Sequence, residues 1–397
     1  MSLKSSFSEF AVIAAGALSA VALIISMTGA ARADLPPYVK LITIAVIGPL
    51  SGPDKSAGIE LSAGVQAAVD DANELRGIAD FGYAMHSFDD LNDPGVAQQQ
   101  AQFALVDPTT TFIVGHVGGQ ATLLALPTYH QAEIPVIVPT APLAALTRQN
   151  YDNVFRLCPS DVEEGVQDAR YAERTLNAKK VAVVYEQDDY GVDGGQGFIN
   201  FAGSAGPMKH KEFAVDVELK DDKQIASGVQ SYAPDLIFAA GNPTVMVNVL
   251  KAIRGAGVTT PILGTQAFSS APVLSSLGNA ADGMTVSSCM PPIDLMPTAQ
   301  QFVRHYQSHY GQLTPFALFG YVAGQVAIAA AKQGRTSDRP TLDRILAVGA
   351  FQSVIGPISF ARSGDPAQPF VYIYKQTNGT LKYVGTASGI PNPLIAR

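Results

Sequence analysis

The sequence predicts an α/β protein of two doubly wound, Rossmann-like lobes, and three observations carry that expectation. Apolar, β-branched runs alternate with helical patterns along most of the chain, the arrangement that gives parallel sheets covered on both faces. That alternation runs through once and opens again near Lys180. The length, 397 residues, exceeds the roughly 100 to 200 that one domain uses.

The first element is a leader. Lys4 precedes a nearly uncharged stretch over residues 10–31, and Ala31, Arg32 and Ala33 form the small-x-small pattern that a signal peptidase accepts. Residues 1–33 therefore read as a cleavable signal peptide, with Asp34 as the first mature residue and the periplasm as destination. The apolar core is short and interrupted by Ser and Gly, unlike a span for a hydrocarbon layer of ~30 Å. No Cys follows the cleavage site, which argues against a lipid anchor. Without the leader about 364 residues remain, and the formal charge moves from −8 to −9, because Lys4, Arg32 and Glu9 are lost.

Residues 41–47 read as the first strand, 58–75 as an amphipathic helix and 83–88 as the next strand. Asn92, Asp93 and Pro94 start another helix. Strands follow at 112–114 and 135–138, each before a Gly- or Pro-containing loop and a helix. The second series has strands at 180–185, 235–240 and 261–264. Helices at 298–310 and 316–333 come next, then short strands at 356–360 and 370–374. Ligands of open α/β sheets bind beyond the carboxyl ends of the strands. The loops after Ile47, Val114, Val138, Tyr185, Ala240 and Gly264 are therefore the place to look.

Composition and motifs remove whole classes of function. An acidic chain does not offer the basic surface that nucleic acid demands. There is no Gly-x-Ser-x-Gly elbow, no phosphate loop ending in Gly-Lys-Ser/Thr and no Cys-x-x-Cys. No catalytic residue, metal or cofactor is expected. His305 and His309 stand four apart on a helix but lack the Glu of a zinc-protease pair. Asp188, Asp189 and Asp193 lack the closing Glu of a calcium loop, and His116 reads as a structural loop residue. The two cysteines, Cys158 and Cys289, leave open a disulfide or two buried thiols.

Several segments then occur in a telling order: residues 41–53 (LITIAVIGPLSGP), Gly58 with Gly64, 89–94 (DDLNDP), 114–116 (VGH), 134–141 (IPVIVPTA) with Leu146 and Thr147, Arg156, 188–191 (DDYG) and 355–358 (IGPI). In this the chain resembles the leucine/isoleucine/valine-binding protein family of ABC importers, across essentially the whole mature sequence. The resemblance implies a type I periplasmic binding fold, two lobes joined by three crossover strands near Arg156, Ser288 and Gly356. It places residues 34–157 with 290–355 in one lobe and 158–289 with 356–397 in the other. It implies a monomer that closes on a small-molecule ligand and delivers it to an inner-membrane permease; a periplasmic sensor partnering a membrane kinase or regulator is the alternative. It also puts Cys158 and Cys289 on the first and second crossovers, side by side, where Cα atoms near ~5.5 Å suit a disulfide.

The family's ligand positions map one by one. The hydroxyl that holds the ligand carboxylate is replaced by Gly119, and the second carboxylate-binding position by Pro142, beside Thr140 and Ala141. Gln266 stands where amino-acid binders place the acid that meets the ammonium. Tyr190 keeps the aromatic of the hinge-side loop and Phe316 an apolar wall, while Ala57 and Asn242 replace bulkier aromatics. A buried ammonium without an opposite charge costs several kcal/mol, so an α-amino acid is not the expected ligand unless Asp188 or Glu186 supplies the charge. Backbone N–H groups of Gly118, Gly119 and Gln120 at a helix start could still receive a carboxylate. Small residues at 57, 119 and 242 would widen the cleft. The expected ligand is larger and less zwitterionic than leucine, an aromatic or apolar acid or an amide.

Overall fold

A computed structural model describes residues 40–75, 81–205, 208–216, 218 and 221–395; the expected signal peptide, residues 1–33, lies outside them. The chain opens with β1 (Leu41–Gly48), whose residues Ile42 to Ile47 are all buried, as a central parallel strand requires. Helix α1 (Lys55–Glu74) turns Leu61, Val65, Ala68 and Ala72 to the core at helical spacing. After β2 (Gly82–Asp89), helix α2 (Pro94–Ala104) starts where the Asn-Asp-Pro signal placed it: Asp93 accepts a hydrogen bond from the Val96 N–H, and Pro94 occupies the first turn. Then come β3 (Thr110–Gly115), α3 (Gly119–Gln131), β4 (Val136–Val138) and β5 (Val154–Arg156). The five strands form one parallel sheet in the order β2-β1-β3-β4-β5.

The chain leaves this sheet after β5. Helix α4 (Asp161–Arg174) starts on Ser160, which accepts from the Glu163 N–H. A second sheet collects β6 (Lys180–Glu186), β7 (Lys209–Val215), β8 (Leu236–Ala240), β9 (Ile262–Gly264) and β10 (Thr285–Ser288), with helices α5 (Asp189–Ala205), α6 (Asp222–Tyr232), α7 (Pro243–Gly255) and α8 (Ala271–Leu277) between them. The chain then returns to the first core as α9 (Gln300–Tyr310), α10 (Pro315–Gly334) and α11 (Arg339–Val348). Helix α10 is long and apolar enough to span a membrane, yet most of it is buried against α1 and its neighbours. The hairpin of β11 (Ala350–Ser353) and β12 (Gly356–Ser359) stays with the first core through Phe351 and Phe360. Only afterwards does the chain cross again, to β13 (Tyr372–Thr377) and β14 (Thr380–Thr386), which join antiparallel and give the order β14-β13-β10-β9-β8-β6-β7.

Three passages thus connect the two sheets: after β5, after β10 and between β12 and β13. The third falls beyond the strand at 356–360 that the sequence had placed past the crossover. Cys158 and Cys289 are joined in a disulfide between the first two passages, with Cα atoms 5.6 Å apart.

Candidate ligand site

All the ligand positions expected from the sequence stand at or just beyond the carboxyl ends of strands or in the first turns of α1 and α10. Gly118 caps α3 in an extended conformation and has no side chain to cap it, so the backbone N–H groups of the helix start are left to partners from elsewhere. The loop that carries it is fixed from below. His116 is fully buried, its Nδ1 2.6 Å from Asp90 Oδ2 and its Nε2 2.8 Å from the Tyr129 hydroxyl. Asp90 also accepts the Asn92 N–H, and Asn92 leaves no room at Gly118 for a Cβ, which would meet its Oδ1 at 2.0 Å. His116 is a structural loop residue, as the sequence suggested.

The two sheets meet at Gly119. Its N–H donates to the Tyr190 hydroxyl at 3.3 Å, and a Cβ there would lie 2.9 Å from that hydroxyl and 2.8 Å from Leu143 Cβ. The space expected to widen the cleft at 119 is therefore taken by Tyr190 and Leu143. Around this contact the Gln120 side chain donates to Asp189, the Ala144 N–H donates to Asp193 Oδ2 at 3.2 Å, and the Asp161 N–H donates to the Pro142 carbonyl at 2.9 Å. Ala141 is buried in a separate cluster on the other face of the first sheet, with Leu143 and Leu146, and Thr140 Oγ1 is buried without a hydrogen-bond partner. Gly118, Gly119, Gln120, Pro142 and Tyr190 are thus brought together.

Asn242 and Gln266 serve the backbone. Asn242 Oδ1 accepts from the Thr244 N–H and caps α7, while its own N–H donates to Glu186 Oε2 at 2.7 Å. Gly241 precedes it at φ +133°, where a Cβ would sit 2.6 Å from Glu186 Cβ, so the close approach demands glycine. The Gln266 N–H donates to Glu164 Oε1 at 2.8 Å. Ala57 is buried and Phe316 half-buried, in the first turns of α1 and α10, which pack on each other.

Carboxylates crowd the second-sheet side. Burial first, then Glu164 and Asp193, push the Asp161 carboxyl well above its ordinary range, and Arg156 pulls it back. Burial and then Asp188 raise Glu186; burial also raises Asp188, which accepts the Gly191 N–H. Arg156, fully buried, donates to the Leu143 carbonyl, to Thr147 Oγ1 and to Asp365. Sequence reasoning missed Glu164 because it looked for an acid at position 266 itself. The detectable signal was Asp161, Glu164 and Asp168, spaced to share one face of a helix.

Two α/β bodies whose strand ends meet across a seam of backbone N–H groups, an aromatic hydroxyl and buried acids define a two-lobed solute-binding protein. The chain belongs to the periplasmic binding protein family, whose model matches residues 41–380. Members of this family bind substrates for ABC transporters and are not enzymes. It is 24% identical over 364 residues to the Leu/Ile/Val-binding protein homolog 1 of Brucella melitensis biotype 1, covering 91% of this chain and 95% of that one. In fold it is similar to the leucine-binding protein LivK of Thermotoga maritima, with a TM-score of 0.75, 24% identity and coverage of 89% and 99%. It is likewise similar to a solute-binding protein of Rhodopseudomonas palustris BisB5 in complex with 3,4-dihydroxybenzoic acid, with a TM-score of 0.72, 21% identity and coverage of 89% and 99%.

Proposed function

We propose that this chain is exported through its leader to the periplasm, closes its two lobes on a small organic ligand and hands it to an inner-membrane ABC permease. The lobes follow the expected division, residues 34–157 with 290–355 and 158–289 with 356–397, except that β12 (Gly356–Ser359) goes with β11 to the first lobe. The ligand is an aromatic or apolar acid or an amide, in preference to a branched-chain amino acid. The family resemblance carries this reading: by it, Gly119, Pro142 and Gln266 occupy the positions at which two hydroxyls and an acid would grip a zwitterion. A carboxylate would then be received by the backbone donors at the start of α3, and the Gly119 N–H, now donating to Tyr190, is the one it would take. Aromatic acids are supported further by the dihydroxybenzoate complex of a protein of the same fold.

Closure works by differential contact: groups that touch ligand from both lobes stabilise only the closed form. A thermal-shift series with benzoate-type acids, aliphatic amides and leucine tests the reading, because a bound ligand raises apparent stability by mass action. The expected result is a rise in melting temperature with an aromatic acid or an amide and none with leucine. A rise with leucine alone would overturn the ligand class.

A further inference from the structure

Ser287 on β10 has one hydroxyl proton and three oxygens around it. Its Oγ lies 2.8 Å from Glu164 Oε1, 2.9 Å from Asp168 Oδ2 and 3.3 Å from the Gly264 carbonyl. Both acids are buried, at 1% and 0% exposure. If both were ionised, one hydroxyl proton would face two carboxylate oxygens at hydrogen-bond distance, and one contact would be acceptor against acceptor. A second proton is therefore required on one of the two carboxyls. Glu164 Oε1 already accepts the Gln266 N–H at 2.8 Å, which marks it as the acceptor end. The proton belongs on Asp168 Oδ2, which donates to Ser287 Oγ, which donates in turn to Glu164 Oε1. Glu164 Oε2 and Asp168 Oδ1 have no hydrogen-bond partner, and such orphans cost less on a neutral acid than on a second buried anion.

We propose that Asp168, Ser287 and Glu164 form a one-proton relay that positions the segment at Gln266, so that Asp168 and Glu164 are positioning residues for the mouth of the second lobe. Its bearing on ligand binding rests on the reading of that segment as cleft lining. The surroundings favour a held proton. Burial raises both carboxyls, and Glu164 raises Asp168 further. Asp161 and Tyr171 lie on the same helix; Asp193 and Asp188 on or beside α5, and Arg156 at the end of β5, reach Asp161 rather than the pair. Among the described groups no cation bears on Glu164 or Asp168. Deprotonating Asp168 sets two anions against one hydroxyl and loosens the Glu164 grip on residue 266.

Two measurements on the full chain test the relay. Infrared spectra at neutral pH should show a protonated-carboxyl band that Asp168→Asn removes. Hydrogen exchange of residues 262–268, corrected for intrinsic rate, should rise about tenfold with alkaline pH, the factor one lost hydrogen bond to a charged group is worth. Asp168→Asn, which keeps a donor toward Ser287 without an ionisation, should abolish that rise. No band lost, or the same pH response in both proteins, overturns the relay. Carbon-13 titration of the aspartate carboxyls in the unsubstituted protein decides the matter if the variant does not fold: an Asp168 signal that is ionised at neutral pH overturns it. Benzoate at saturating concentration separates the two claims. Protection of 262–268 by benzoate supports the cleft reading, and its absence with the band and pH response intact overturns that reading alone.

Discussion

Single side chains in this protein are governed by where negative charge is buried. Asp343 is the clearest case outside the seam: burial, then Asp152 and Glu133, push it up to about 8. An acid whose folded value lies above its unfolded value stabilises fully below the unfolded value, and that contribution drains away as pH rises through the folded one. The unsubstituted protein should therefore lose thermal stability relative to Asp343→Asn from about pH 4 to about pH 8, with a constant gap above. Melting curves of both proteins across that range check it; a gap independent of pH would remove Asp343 as the cause. At this scale the sequence was only partly legible. The family resemblance named Gly119 and Tyr190 separately, and the structure brings them into contact, because both stand where a strand gives way to a helix start. The cap that Asn242 makes for α7 was not read from the sequence, because it depends on local backbone geometry. Glu164 was hidden because its partner, the 266 N–H, lies 102 positions away.

Elements were more legible than residues, in proportion to their burial. Strands β1, β3, β4, β6, β8 and β9 were found within one or two residues, since continuous apolar runs bounded by Gly or Pro leave few alternatives. Strand β7, Lys-His-Lys-Glu-Phe-Ala-Val, was not placed, because an edge strand with charges outward carries little apolar signal. The pairing of α1 with α10 was equally invisible, although it is built from small residues at regular spacing. A Cβ on Gly64 would meet the Ala317 carbonyl oxygen at 2.0 Å, one on Gly320 the Leu61 carbonyl oxygen at 2.3 Å, and one on Gly324 the Ala68 Cβ at 2.7 Å. Backbone cannot yield as a flexible side chain can, so Gly64→Ala should destabilise by about 3 kcal/mol, the upper end for overpacking. Urea unfolding measures this; a midpoint within error of the parent would show that the two helices part freely.

At the scale of the whole molecule, the direct bonds that hold the two lobes together across the seam include Gly119 with Tyr190, Gln120 with Asp189, Ala144 with Asp193 and Asp161 with Pro142. Removing two of them, in Gln120→Ala with Asp193→Ala, should shift the ligand-free protein toward a more open form without lowering its unfolding free energy by more than about 1 kcal/mol. Small-angle scattering should then show a larger radius of gyration than the parent, and an unchanged radius would mean that the hinge alone sets the angle. The disulfide acts on the same hinge but on a different timescale. A bond between positions 131 residues apart forms only where thiols oxidise, and constraining a loop of that length is worth up to about 5 kcal/mol. Were the chain exported as proposed, this would separate two lives of one sequence: a precursor soft enough to be threaded through a translocation pore, and a product locked once it emerges. The order of threading and locking is then imposed by the chemistry of the compartments on either side of the membrane.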